Sequence, residues 1–163
     1  MRYVVLIIAA LWFVNAPLAH AEKPSNSIDH PEARPFDKEA VAPDQVDAAL
    51  AWAETSDKRV ILVMGANWCH DSRSLSGWFA QPRFAEMLKP KYDVVYIDVG
   101  YKDRNIDVAR RFGIEAIKGT PTVLVLSPHG VLLNRNSAHK WRDAASRSEE
   151  DIFAYFDQFV PEL

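Results

Sequence analysis

The sequence predicts an α/β domain, and three observations carry that prediction. Short, uninterrupted apolar runs recur at Val60–Met64, Val94–Ile97 and Val123–Leu126, as strands buried inside a sheet require. Stretches with apolar residues at helical spacing lie before, between and after them. Hydrophobic residues make up 48% of the 163-residue chain and charged ones 25%, which is enough apolar material for one domain with a core of its own.

Asp44 reads as the N-cap of a first helix running to about Thr55, with Val46, Ala49, Leu50 and Ala53 on one face. Arg59 to Ala66 is a strand apolar enough to be buried on both faces. Asp71 to about Lys89 reads as a helix with Leu75, Phe79 and Met87 in the core, and Pro82 demands a kink or a break inside it. Tyr92 to Val99 is the second strand, and Asn105 to Phe112 a short helix that Gly113 ends. Pro121 to Leu126 is the third strand. His129-Gly130 is a turn, and Val131 to Asn134 is the expected hairpin partner. Ser148 caps a terminal helix, with Asp151 three residues on as in a capping box. Ile152, Phe153, Phe156, Phe159 and Val160 form its buried stripe, and no internal repeat is present.

Residues 1–21 read as a signal peptide. Arg2 supplies a positive start, Val4 to Val14 is an apolar run of 11, and Ala19-His20-Ala21 after Pro17 fits a small-x-small cleavage site. The run is shorter than the roughly 20 apolar residues of a membrane span. The chain from Glu22 is therefore expected in the periplasm or secreted, with no stable membrane span. Residues 22–43, with prolines at 24, 31, 35 and 43, read as an extended leader, and residues 44–163 as the folded domain. A net charge of −3 gives no argument for nucleic acid or an anionic membrane, and Arg104, Arg110 and Arg111 read as a solvated helix face.

Cys69 is the only cysteine. In an exported protein it cannot form an internal staple, so the thiol is either buried or used. It lies where a strand gives way to a helix, in Trp68-Cys69-His70-Asp71-Ser72. Unpaired N–H groups and the helix dipole there favour an anionic sulfur, the nucleophilic form. A protonated His70 adds to that field and Asp71 opposes it. The plain alternative is that Cys69 is a small buried hydrophobe. His70 reads as an exposed helix-start residue ahead of a proton shuttle, and Asp71 as a cap or first-turn acid.

The strand, Trp68-Cys69, the helix after it, and Gly119-Thr120-Pro121-Thr122 opening a later strand together resemble the thioredoxin-like superfamily over about residues 40 to 163. The resemblance implies a thioredoxin fold, a central mixed sheet with helices on both faces. It implies a cis Thr120–Pro121 bond packed against Cys69. It also implies that Thr120 offers its backbone to an extended substrate segment, and that Trp68 flanks the thiol. Two departures matter. Ser72 stands where the family's second cysteine falls, giving Cys-x-x-Ser, and Val63 stands where many members carry a buried acid as proton relay. Ser72 can face Cys69 and donate to the thiolate, or be a helix-start residue with no duty, but it cannot attack a mixed disulfide.

The function so implied is one-thiol disulfide exchange. Cys69 attacks a substrate disulfide, and an external thiol, from a second substrate or a small thiol such as glutathione, resolves the mixed disulfide. No cofactor is called for, and the partners are cysteine-containing exported proteins or small thiols. The alternative is a non-catalytic peptide-binding or escort module using the groove beside Thr120. A metal site from Cys69, His70 and Asp71 is disfavoured because adjacent residues point in different directions around a helix. Peroxidase chemistry of the peroxiredoxin kind lacks a hydroxyl residue at position 66, which is Ala66. A serine hydrolase lacks its Gly-x-Ser-x-Gly elbow.

Overall fold

A computed structural model describes residues 30–159. The expected signal peptide, the start of the leader and Val160 lie outside the described residues. Among the described residues nine elements follow one another: α1 (Ala42–Ser56), β1 (Arg59–Gly65), α2 (His70–Phe79), α3 (Pro82–Leu88), β2 (Tyr92–Asp98), α4 (Ile106–Arg111), β3 (Thr122–Leu126), a short 3-10 turn (Ala144–Ser146) and α5 (Glu149–Asp157).

The sheet order is β2-β1-β3, with β1 parallel to β2 and antiparallel to β3. β1 is central, and every residue from Val60 to Gly65 is buried. Because alternate side chains of a strand point to opposite faces, this run feeds two cores. Val60, Leu62 and Met64 join Val46, Ala49 and Ala53 of α1 and Val108 and Ala109 of α4. Ile61 and Val63 join Leu75 and Phe79 of α2, Phe84 of α3, Ile152 and Phe156 of α5, and Trp141. Helices therefore cover both faces of a mixed sheet, the thioredoxin architecture expected from the sequence.

Several boundaries differ from expectation for local reasons. α1 starts at Ala42 with Val41 at the cap, so Asp44 is a first-turn acid and not the N-cap. Pro43 allows this, because its missing N–H costs nothing in a first turn. Pro82 breaks the long helix outright. Gln81 is extended (φ −69°, ψ 147°), as a residue before proline prefers, and α3 restarts on the proline itself. Gly113, at φ +76°, follows α4 in the left-handed conformation that ends a helix. Ser148 caps α5 by accepting from the Asp151 N–H.

The expected hairpin strand at Val131–Asn134 is not a strand. It makes one bridge, Leu126 to Leu132, with Leu133 N donating to Val125 O and Ser127 N to Val131 O, and the Asn134 side chain serves the groups beyond. Its Oδ1 accepts from Val125 N and its Nδ2 donates to Val123 O, each at 2.8 Å. A side-chain amide thus satisfies edge groups that a fourth strand would pair.

Residues 30–37 are in neither helix nor strand and lie against the domain as a strap, a turn follows at 38–40, and α1 takes the chain from Ala42. Phe36 is buried in the α2-side core, Ala33 N donates to Arg73 O at 3.0 Å, and Asn67 exchanges two hydrogen bonds with the Phe36 backbone. Gly77 of α2 lets this happen, because a Cβ there would collide with the Pro31 carbonyl oxygen.

Candidate active site

The buried β1 ends at Gly65, and four residues later Cys69 is the N-cap of α2 in extended conformation (φ −80°, ψ 123°). Cys69 N donates to Ala66 O, and Cys69 O accepts from Arg73 N, so the main chain at the thiol is fixed on both sides. From the other side of β1, β3 enters through Thr120 and Pro121, joined by a cis peptide bond. The antiparallel register, Met64 opposite Thr122, brings this loop to the same end of the sheet as the α2 start. There the Cys69 thiol donates to the Thr120 carbonyl at 3.3 Å. Both residues are 8% exposed. Cys69 is thus buried, beside the loop that the sequence singled out.

The neighbours of Cys69 take separate directions. Trp68 is half exposed. Its ring stacks on Tyr101 (5.1 Å, 16° between planes) and its Nε1 donates to Gly100 O. His70 is exposed, with Nε2 3.3 Å from Glu32 Oε1. Asp71 Oδ1 accepts from Ala145 N, which ties the 3-10 turn to α2. Ser72 is fully buried, and its Oγ has no hydrogen-bond partner. It faces Gly65, where a Cβ would stand 2.6 Å from the hydroxyl oxygen. The hydroxyl makes no hydrogen bond to Cys69 in this structure. Val63, at the relay-acid position, is sealed between Tyr96 and Val123 of the flanking strands. Burial pushes the Tyr96 phenol up to about 12, so Tyr96 stays neutral and replaces no carboxylate there.

Arg73, Asn67, Glu32, His30 and Tyr101 belong to this region, and reading along the chain did not single them out. Arg73 Nη1 donates to Trp68 O (2.9 Å) and Asn67 O (3.3 Å), while Nε and Nη2 bond the two oxygens of Glu32. The hydrogen bonds from Arg73, with the charges of Arg73, His70 and His30, hold the Glu32 carboxyl below its usual range. One guanidinium therefore joins the strap, the loop before the thiol and α2. For His30 and Glu32 the only sequence signal was polar residues in a proline-rich segment, which says nothing about what it packs on. On the far side, Thr122 Oγ1 donates to Gly119 O and lies 3.3 Å from His139 Nδ1. A thiol, a carbonyl at its side and no second cysteine can form and release a mixed disulfide, and cannot close an internal one.

A family model described as thioredoxin-like matches residues 40–128, more than half of the chain. The chain belongs to the thioredoxin-like family. Among solved structures, this thioredoxin-like protein is similar to the disulphide isomerase from Xylella fastidiosa Temecula1. The two share 31% identity at a TM-score of 0.72, over 77% of this chain and 96% of that one. It also matches a poplar thioredoxin h mutant at 23% identity and a TM-score of 0.44, over 80% of this chain and 96% of that one. A comparison with curated proteins returns no match. Among the described residues, no helix is long and apolar enough to cross a membrane.

Proposed function

We propose that this thioredoxin-like protein is exported and carries out one-thiol disulfide exchange through Cys69. The observation that carries the reading is the contact between the Cys69 sulfur and the carbonyl before Pro121, at the mouth of a buried strand. The Cys69 thiolate attacks one sulfur of a substrate disulfide. A bond forms between Cys69 and that sulfur, the old disulfide breaks, and the other substrate sulfur leaves as a thiolate that takes up a proton. A second thiolate, from the same substrate or from a small thiol such as glutathione, then attacks the mixed disulfide and returns Cys69 to the thiol. When the second thiolate belongs to the same substrate, the net change is isomerisation, with no electron gained or lost. Similarity to the Xylella fastidiosa protein, a disulphide isomerase, supports that direction.

Thr120 supplies main-chain hydrogen-bonding groups to an extended substrate segment, Trp68 forms the outer wall, and His70 stands at the solvent side. Ser72 takes the place of a resolving thiol and so leaves release to an external one. The low exposure of Cys69 favours a second reading, a peptide-escort module that leaves the thiol unused.

The mass of the protein isolated from the export compartment without reductant separates the two. Exchange chemistry predicts a glutathione or protein adduct on Cys69, abolished in Cys69→Ser. An unmodified thiol that resists a mild alkylating agent in the folded protein, together with undiminished partner capture by Cys69→Ser, would establish the escort.

A further inference from the structure

We propose that His30, Glu32 and His70 form a binding site for a divalent metal ion of the zinc class. The three side chains come from two distant parts of the chain. His30 and Glu32 lie on the strap, and His70 opens α2. Each offers one ligand atom, and all these atoms lie within 4.8 Å of one another. His70 Nε2 and Glu32 Oε1 are already 3.3 Å apart, and the two imidazole centroids are separated by 4.7 Å. Ligand atoms on a tetrahedral zinc stand about 3.4 Å apart, given metal–nitrogen distances of about 2.0–2.1 Å. The cluster therefore needs a contraction of about 1.4 Å at most, within reach of a side-chain rotation of His30.

The outer contacts hold the ligands as a metal site requires. His30 Nδ1 lies 3.4 Å from the Pro31 carbonyl. A proton on Nδ1 donated to that oxygen leaves the Nε2 lone pair for a metal. Arg73 Nε bonds Glu32 Oε2 at 2.9 Å, and Nη2 reaches Oε1 at the longer distance of 3.2 Å. The guanidinium thus holds both carboxylate oxygens, more closely at Oε2, while Oε1 also lies 3.3 Å from His70 Nε2, on the side of the imidazoles. The strap that carries two of the ligands is itself clamped, by Ala33 N to Arg73 O and by the close approach of Pro31 to Gly77. Two imidazoles and a carboxylate suit zinc and its neighbours over calcium or magnesium, and three protein ligands leave a position open to water. Cys69 and Asp71 are not part of the set. Their polar atoms are engaged with Thr120 O and Ala145 N.

The test is calorimetric titration of Zn2+ into untagged protein carrying Cys69→Ala, so that the thiol contributes nothing. One zinc ion per chain is expected, with affinity falling about tenfold or more in each of His30→Ala and His70→Ala. In parallel, imidazole proton resonances of the unsubstituted histidines are followed by NMR. Those of His30 and His70 shift together on zinc addition while His129 and His139 stay in place, a readout that survives if a variant fails to fold. No saturable binding up to about 100 μM Zn2+, binding unchanged in either variant, or shifts at His129 or His139 in place of His30 and His70 overturns the proposal.

Discussion

The Cys69 thiol donates to the Thr120 carbonyl across 51 residues of sequence, joining the first turn of α2 to the loop that opens β3. The two come together because β1, buried on both faces, pairs with β3 in one register, and a slip of one residue would turn its apolar side chains to the wrong core. The position of the sulfur is thus fixed by the sheet, and the residues around it adjust how it is used.

Ser72 is the first residue to test. Its hydroxyl is buried and without a partner, a state that costs about 1–3 kcal/mol in general. Ser72→Ala is expected to raise stability by about 1 kcal/mol and to change thiol-exchange rates less than about twofold. Denaturant titration and a scrambled-disulfide assay measure the two effects. A large loss of exchange in this variant would mean that the hydroxyl serves the thiolate after all.

Asn134 carries a structural burden out of proportion to its size. Asn134→Ala removes the partners of Val125 N and Val123 O together with a 3.0 Å bond to the Tyr155 hydroxyl. A loss of about 2–4 kcal/mol is expected, with increased self-association through the bared β3 edge. Equilibrium unfolding and light scattering read both, and a loss below about 0.5 kcal/mol would contradict this bridging role.

Gly77→Ala gives a test by sign. Alanine in a helix is ordinarily better than glycine by about 1 kcal/mol. Here the new methyl meets the Pro31 carbonyl and the Glu32 N–H, so either strap or helix must shift. Stability is expected to fall, and the strap around residues 30–37 to become the first site of proteolytic cutting. A more stable protein with an uncut strap would show that the close packing is dispensable.

His139 predicts a pH dependence. Burial, with Lys118 and Arg142 close by, lowers its pKa below the ordinary value of 6.5. As pH falls through about 6.5 the unfolded chain takes up a proton that the folded one refuses, so stability falls with pH there and is fully present only above that value. His139→Gln is expected to flatten the stability profile between about pH 7 and pH 5. Parallel profiles for the two proteins would remove His139 as the cause.

Much of the fold was legible because its signals are local. The unbroken apolar run of β1, the proline that parts α2 from α3, the glycine after α4 and the serine before α5 each act within a few residues. The Cys69 and Thr120-Pro121 segments could be paired only through resemblance, since nothing between them in sequence reports their approach. What escaped was non-local. Asn134 looks like any strand residue until its amide is seen against β3, and a proline-rich lead-in gives no hint that Phe36 is in the core. His30 and Glu32 meet His70 only because the strap folds back across α2. The first helix began three residues early, capped at Val41 where Asp44 was expected, because Pro43 tolerates a first turn better than Asp44 insists on a cap.

Arg73 touches the Glu32 carboxylate with two of its nitrogens and the carbonyls of Trp68 and Asn67 with a third. The turn preceding the sulfur is therefore half of a clasp whose other half is the polypeptide's own lead-in. Clipping the chain after residue 37 would delete no reacting group, yet it would strand that cation without its anion and slacken the turn it steadies. Trimming to a tidy minimal domain at the first helix would also draw Phe36 out of the core, so the turn before Cys69 and the packing beneath it would loosen together.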